Sequence, residues 1–316
     1  MQGGRRNVRR KGRDMTCAEN GAGAAAREFV LIGNPVAHSL SPVMHNAVYA
    51  QLAAGDARFA GWHYERQLCE TDEQALAQIG RLRAGECFGM NITMPYKPLA
   101  LQQADFAAPE ADAAGGANVL VARADGLHAH NTDGLGALGA VERVSGLRAR
   151  GKRVAVCGTG PTSLAIACAF ANAQAAELVL LSRDGTRSRL ALERLRPSLA
   201  PGATSWLRAA DYGEAAGLVP SMDIVVDATP CGMHAGDAPV VPTRLLREGQ
   251  VVLDTVYAHG TTALVAGARE AGALAMDGLE MLVEQAALSV EIWAEALGMD
   301  VSVPRQVMRA AALGKA

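Results

Sequence analysis

The sequence predicts an α/β protein built from two units. From Phe29 to Lys97, apolar strand-like runs alternate with amphipathic helical stretches in the order βαβαβ, the pattern of a layered α/β unit. A second alternating series starts near Arg150 and carries a glycine-rich turn between a strand and a helix. At 316 residues the chain is long enough for two separate cores.

The bulk numbers exclude several classes. A net charge of −2 leaves no nucleic-acid footprint over the whole molecule, and no apolar run reaches the length of a membrane span. The six cysteines are scattered, with no CxxC and no zinc-like spacing. That predicts no metal and reduced, mostly buried thiols in a cytoplasmic protein, either a monomer or a homodimer. Residues 1–28 differ in kind. Arg5, Arg6, Arg9, Arg10, Lys11 and Arg13 cluster without an apolar stretch, so the segment is no secretory signal. It reads as a disordered basic leader, with an RNA- or membrane-binding arm as the alternative.

The first strand is Phe29–Gly33, followed by a loop through Asn34-Pro35. Ser41 before Pro42 makes an N-cap with Pro at the first helical position, so a helix is expected from Pro42 to about Leu52. The hydroxyls of Ser39 and Ser41 lie just ahead of it; they suit a polyol or carboxylate, or serve only as caps. Gly61–Glu65 is the second strand and Glu73–Arg83 a helix with Leu76, Ile79 and Leu82 on one face. The third strand is Gly89-Met90-Asn91-Ile92-Thr93, running through Pro95 into Lys97. Only four of the 30 basic residues are lysines, and Lys97 follows an uncharged run. Arg cannot give up its proton at working pH whereas a partly enclosed Lys can, which points to acid–base use; the alternative is a surface Lys after a turn.

A helical stretch over Leu99–Phe106 precedes Asn118 and a strand ending at Arg123. A turn at Ala124-Asp125-Gly126 then leads to Asp133, at a strand-to-helix junction where Asp is a common N-cap. In the second unit the strand Val154–Cys157 runs into Gly158-Thr159-Gly160-Pro161-Thr162-Ser163 and the helix Leu164–Ala173. Gly158 permits a tight turn, and Gly160 lets the backbone approach a pyrophosphate lying on the helix N-terminus. After the strand Leu178–Leu181 come Ser182, Arg183 and Arg187, with no carboxylate at the strand's last position. The two guanidinium groups can clamp a 2′-phosphate, which selects NADP, with NAD as the alternative because Asp184 adjoins them. The strand from Asp223 opens into the loop Thr229–Met233, where a nicotinamide ring would lie. Val251–Tyr257 repeats that plan, Thr262–Ala271 is a helix, and Glu280–Leu297 is a long helix with Gln285 on its mostly apolar face. Ser302–Leu313 closes the chain as a short helix.

Taken together, these segments resemble the shikimate dehydrogenase family. The resemblance runs from Phe29 to the last helices through GNPVAHSLSPVMHN (33–46), GMNITMPYK (89–97), GGANV (115–119), HNTDGLG (130–136), CGTGPTS (157–163), DATPCGM (227–233), DTVYAHGTTAL (254–264) and DGLEMLVEQA (277–286). It implies a substrate domain over 29–133 and 278–316, to which the last helices return, and a Rossmann-like NADP domain over 134–277. It implies catalytic roles for Lys97 and Asp133, and contacts with a shikimate-like cyclohexene polyol acid for Ser39, Ser41, Asn91, Thr93, Asn118, Tyr257 and Gln285. The cofactor residues it implies are Gly158, Thr159, Gly160, Pro161, Thr162, Ser182, Arg183, Arg187, Thr229, Met233 and Gly278. Four positions depart from the family pattern. Val119 stands for the usual Thr, which would remove a hydroxyl from the pocket floor. Asp227 stands for Asn and His259 for Pro, and Pro161-Thr162 stand for Gly-Ala. The implied activity is reversible reduction of 3-dehydroshikimate to shikimate. The rivals are a quinate or aminoshikimate paralogue using NAD and a non-catalytic metabolite sensor.

Overall fold

The computed structural model describes residues 26–204, 206–234 and 236–314. The leader expected over 1–28 lies outside them up to residue 25, and Arg27 and Glu28 already belong to the first strand.

The first sheet contains β1 (Arg27–Gly33), β2 (Trp62–Leu68), β3 (Gly89–Ile92), β4 (Phe106–Ala107), β5 (Val119–Arg123) and β6 (Gly126–His130), in the order β2-β1-β3-β5-β6-β4. Its β1 pairs in parallel with β2 and β3, whereas β5 runs antiparallel to both β3 and β6. Helices α1 (Ser41–Gly55), α2 (Asp72–Arg83), α3 (Lys97–Gln103) and α4 (Pro109–Ala114) connect these strands. The second sheet is wholly parallel: β7 (Arg153–Cys157), β8 (Glu177–Ser182), β9 (Leu207–Asp211), β10 (Ile224–Asp227), β11 (Val251–Asp254) and β12 (Leu274–Met276), in the order β12-β11-β10-β7-β8-β9. The order reverses at β7, the switch point at which doubly wound sheets take their ligands. Helices α5 (Asp133–Ser145), α6 (Pro161–Asn172), α7 (Gly185–Leu195), α8 (Ala215–Leu218) and α9 (Ala263–Glu270) belong to this half, and α10 (Leu279–Ala296) and α11 (Arg305–Leu313) end the chain.

The scarce aromatic residues are concentrated on one face of the first sheet. There Phe29, Tyr49, Phe59, Trp62, Tyr64 and Trp293 form a core with α1, α10 and α11, which is why the last helices return to this sheet. The Phe29 ring lies 4.7 Å from both Trp62 and Trp293. The second sheet packs instead through Ala, Val, Leu and Ile on both faces, as a parallel sheet buried on two sides requires. The third tryptophan, Trp206, precedes β9 and is 74% exposed.

Four local expectations are corrected. The helix expected over Leu99–Phe106 starts at Lys97, with Pro98 in its first turn, and ends at Gln103; Phe106 pairs with β6 instead. Ser41 is a helical residue rather than the N-cap, and its amide is met by the Ser39 hydroxyl at 3.2 Å. Val119 is fully buried in the aromatic core and does not line the cavity described below. Helix α7 and strand β9 were not anticipated, although Ser188, Ala191, Leu192 and Leu195 bury one helical face at the expected spacing. Among the described cysteines Cys69, Cys87, Cys157 and Cys168 are buried free thiols, and Cys231 is exposed.

Candidate active site

Helix α5 joins the two halves, and its glycines make the contact close. A Cβ on Gly134 would strike the Ala165 carbonyl of α6, and one on Gly136 would come within 2.8 Å of Gln285 Cβ on α10. Beside this junction a cavity of about 320 Å³ opens between the sheets. Its walls include Ser39, Ser41, Asn91, Thr93, Lys97, Asn118 and Asp133 from the first part of the chain. Thr162, Thr229, Met233, Tyr257, Gly278 and Gln285 come from the remainder.

Lys97 opens α3 and Asp133 opens α5, so the pair meets where two helices begin. Lys97 Nζ donates to Asp133 Oδ2 at 2.5 Å, with the two side chains 13% and 8% exposed. The carboxylate does not cap its helix. Its amide donates to Asn131 Oδ1, and its Oδ1 accepts from Asn118 Nδ2 at 2.8 Å. Thr162, in the first turn of α6, completes the set: its hydroxyl accepts from Lys97 Nζ at 3.0 Å and donates to Asp133 Oδ2 at 2.9 Å.

The amides expected in the site are largely engaged already. Asn118 also bonds Thr132 and Gln285, and Gln285 Nε2 donates to the Leu282 carbonyl. Asn91 Nδ2 donates to the Asn118 carbonyl and the Ser289 hydroxyl, while Asn91 Oδ1 accepts from Tyr64 at 2.7 Å. One lone pair on Asn91 Oδ1 is left for a ligand. Sequence reading missed Tyr64, Thr132 and Ser289. Tyr64 belonged to an anticipated strand, but nothing in a lone Tyr announces a partner 27 residues away.

Burial raises the Tyr64 phenol well above the ordinary range, opposed by its hydrogen bond with Ser41. It raises Tyr257 in the same way, opposed by the bond with Ser39. Ser39, Ser41 and Tyr257 line the wall, and Tyr64 lies outside it. Behind them His45 stacks on Tyr64 with ring centres 4.0 Å apart, and burial pushes its imidazole down to about 3, so the ring is neutral.

At the switch point Gly158 has φ +111°, and a Cβ there would meet the Ser163 hydroxyl and, at 3.1 Å, the Ala228 carbonyl. A Cβ on Gly160 would meet nothing within 4 Å. The turn is therefore tight at its first glycine and open at its second, and the open side faces the start of α6. That fits a pyrophosphate held by backbone N–H groups. The side chains of Arg183 and Arg187 are exposed nearby, whereas Asp184 is occupied as the N-cap of α7 through Thr186 N at 2.9 Å. Ser182 is turned inward: its hydroxyl bonds the Asp184 carbonyl and Ser188 at 2.8 Å, so it shapes the turn from within. Gly158, Thr159, Gly160, Pro161, Ser182, Arg183 and Arg187 lie outside the cavity wall. Among the described residues no acidic, His or Cys cluster could hold a metal ion, and no helix is long and apolar enough to cross a membrane.

A doubly wound sheet whose switch point faces an enclosed lysine–aspartate pair across a shared cavity fits a two-domain dehydrogenase of the nicotinamide type. The comparisons agree. The sequence model of the shikimate dehydrogenase substrate binding domain matches residues 31–120. The shikimate dehydrogenase (NADP(+)) of Symbiobacterium thermophilum is 35% identical over 306 residues, 95% of this chain and 98% of its own. Among solved structures, the shikimate 5-dehydrogenase of Thermus thermophilus in complex with NADP(H) and shikimate has a TM-score of 0.77 at 27% identity, covering 92% of this chain and all of its own. The quinate dehydrogenase of Corynebacterium glutamicum in complex with NAD gives 0.77 at 26% identity, covering 92% of this chain and 99% of its own. This chain belongs to the shikimate dehydrogenase family, and it is an oxidoreductase acting on a CH–OH group.

Proposed function

We propose that the chain is an NADP-dependent shikimate dehydrogenase that reduces 3-dehydroshikimate to shikimate reversibly, with Lys97 and Asp133 handling the proton. The observation that carries this reading is the Lys97–Asp133 pair, enclosed at 2.5 Å on the wall of a cavity shared by both halves. The Gly158–Pro161 turn would hold NADP(H), whose nicotinamide would supply or accept the hydride. Lys97 donates a proton to the oxygen at the reacting carbon during reduction and removes it during oxidation. Asp133 holds the ammonium in place, and Asp133, Asn118 and the free lone pair of Asn91 bond the ring hydroxyls. Ser39, Ser41 and Tyr257 bind the substrate carboxylate through hydroxyl donors, and Thr93 and Gln285 close the pocket. Thr229, Met233 and Gly278 border the nicotinamide.

The proposed division is a substrate domain over 29–133 and 278–316 and an NADP domain over 134–277. It is supported by the core each element joins, with Ala137, Ala140 and Val141 of α5 packed in the second. The exposed Arg183 and Arg187 support NADP over NAD, although Asp184, which caps its helix, also stands 4.0 Å from the Arg187 guanidinium. Quinate remains the second reading, because the quinate dehydrogenase neighbour matches as well in TM-score as the shikimate enzyme. Initial rates with shikimate and quinate, each with NADP and NAD, separate the two. The expected result is the highest kcat/KM for shikimate with NADP; a higher value for quinate with NAD would overturn the proposal.

A further inference from the structure

We infer that Thr162 is a positioning residue of the Lys97–Asp133 pair, supplied to it by the dinucleotide half; this rests on the proton-handling role proposed above. The position lies in the glycine-rich turn, where it was expected to meet the cofactor. Its hydroxyl instead bonds both members of the pair, 3.0 Å from Lys97 Nζ and 2.9 Å from Asp133 Oδ2.

The chemistry follows from counting protons. An ammonium carries three N–H groups. Two are directed, one to Asp133 and one to Thr162, so the third is the one left to reach a substrate oxygen in the cavity. With Asp133 as sole anchor the ammonium could swing about a single bond; a second anchor fixes the line of the third N–H. A hydroxyl suits this place because it accepts from Lys97 and donates to Asp133 at once. After the proton has left, the neutral amine still has two N–H groups for the same two anchors, so it stays aimed for reprotonation.

Packing fixes the hydroxyl on both sides. Gly134 lies against Ala165 of α6, which sets Asp133 relative to Thr162. Gly116 lies between Lys97 and Pro161: a Cβ there would stand 3.1 Å from Lys97 Cβ and 3.1 Å from Pro161 Cβ. A side chain at 116 would require Lys97 or Pro161 to give by a few tenths of an ångström. The β-branch of Thr162 also restricts its rotamer within the helix.

The test compares Thr162→Ala, Thr162→Val and Thr162→Ser with Lys97→Ala in the full chain. It reads shikimate oxidation kinetics, NADPH affinity by nicotinamide fluorescence titration, and thermal unfolding. A misplaced proton donor costs about ten- to hundredfold in turnover, so Thr162→Ala and Thr162→Val should lose that much kcat. The shikimate KM and the NADPH affinity should stay within about twofold, and Thr162→Ser should recover most of the turnover. Wild-type kcat in Thr162→Ala overturns the inference. So does a loss that follows NADPH affinity or that Ser fails to rescue, since Thr162 would then be a cofactor contact or a packing residue. Wild-type turnover in Lys97→Ala would instead overturn the underlying proton-handling assignment.

Discussion

Two buried aspartates, one opening α5 and one ending β10, separate a carboxylate that is fully partnered from one that is merely enclosed. Asp133 is 5% exposed and has Lys97, Thr162 and Asn118 on its two oxygens. Asp227, at the end of β10, is 1% exposed; its Oδ1 accepts from Thr229 N, and its Oδ2 has no hydrogen-bond partner. Burial, with Asp254 adding repulsion and the bonds from Thr229 opposing, pushes the Asp227 carboxyl up to about 7. A buried charge is tolerated when paired and otherwise tends to neutralise. The first arrangement therefore keeps an ion pair for use, and the second keeps a proton near neutral pH.

The largest effect that tests this contrast is Lys97→Ala. General acid–base help is worth about 10²–10⁴ in rate, so kcat should fall by at least the lower figure with the shikimate KM nearly unchanged, as steady-state kinetics would reveal. Asp227→Asn should do the reverse and stabilise the protein without touching the pair. Well below the unfolded value of 3.8 the carboxyl is protonated in folded and unfolded chains alike and costs nothing. As the pH rises to 7 the unfolded chain ionises first, so the folded state loses stability until its own carboxyl has titrated. A displacement from 3.8 to about 7, at 1.36 kcal/mol per unit, is about 4 kcal/mol. The variant should gain up to that amount in urea unfolding at pH 8 and almost nothing about one pH unit below the unfolded value of 3.8; an equal gain at both pH values would show that Asp227 has an unseen partner.

Smaller effects are expected on the nucleotide surface, where side chains are exposed rather than interlocked. Replacing Arg183 and Arg187 together by Ala removes the charges proposed to meet a 2′-phosphate. The ratio of kcat/KM for NADP to that for NAD should drop about tenfold or more, since charge-assisted bonds are roughly twice as strong as neutral ones. An unchanged ratio would place cofactor selection elsewhere. Smallest is Gly160→Ala. A Cβ there meets open space, and a poorer N-cap costs about 1 kcal/mol or less. Thermal unfolding should hardly move while NADP affinity falls.

The same contrast explains what could be read in advance. The α/β alternation and the long helix carrying Gln285 were legible because period, caps and glycine turns are local signals, whereas most residues expected around the cavity were implied by the family resemblance. Lys97 stood out by residue choice. Tyr64 on Asn91, Ser289 on Asn91 and Thr162 on the pair were not legible, since each joins residues far apart in the sequence; for Thr162 the two surfaces meet at Gly116 and Gly134. Ser41 misled for a related reason: Ser-Pro is a strong N-cap signal, but the helix starts one residue earlier, with Leu40 at the N-cap, and the Ser39 hydroxyl meets the Ser41 amide. Val119 misled because β5 turns that position into the aromatic core rather than toward the ligand.

That uneven distribution of aromatic rings also equips the molecule with its own optical labels. Trp62 and Trp293 sit in the first core within van der Waals reach of Phe29, and Trp206 stands in solvent beside β9. An aqueous quencher such as iodide should extinguish Trp206 and spare the other two. The blue-shifted residual emission then follows the substrate half alone, and its loss on denaturation can be timed against the quenchable emission of the nucleotide half without attaching any dye.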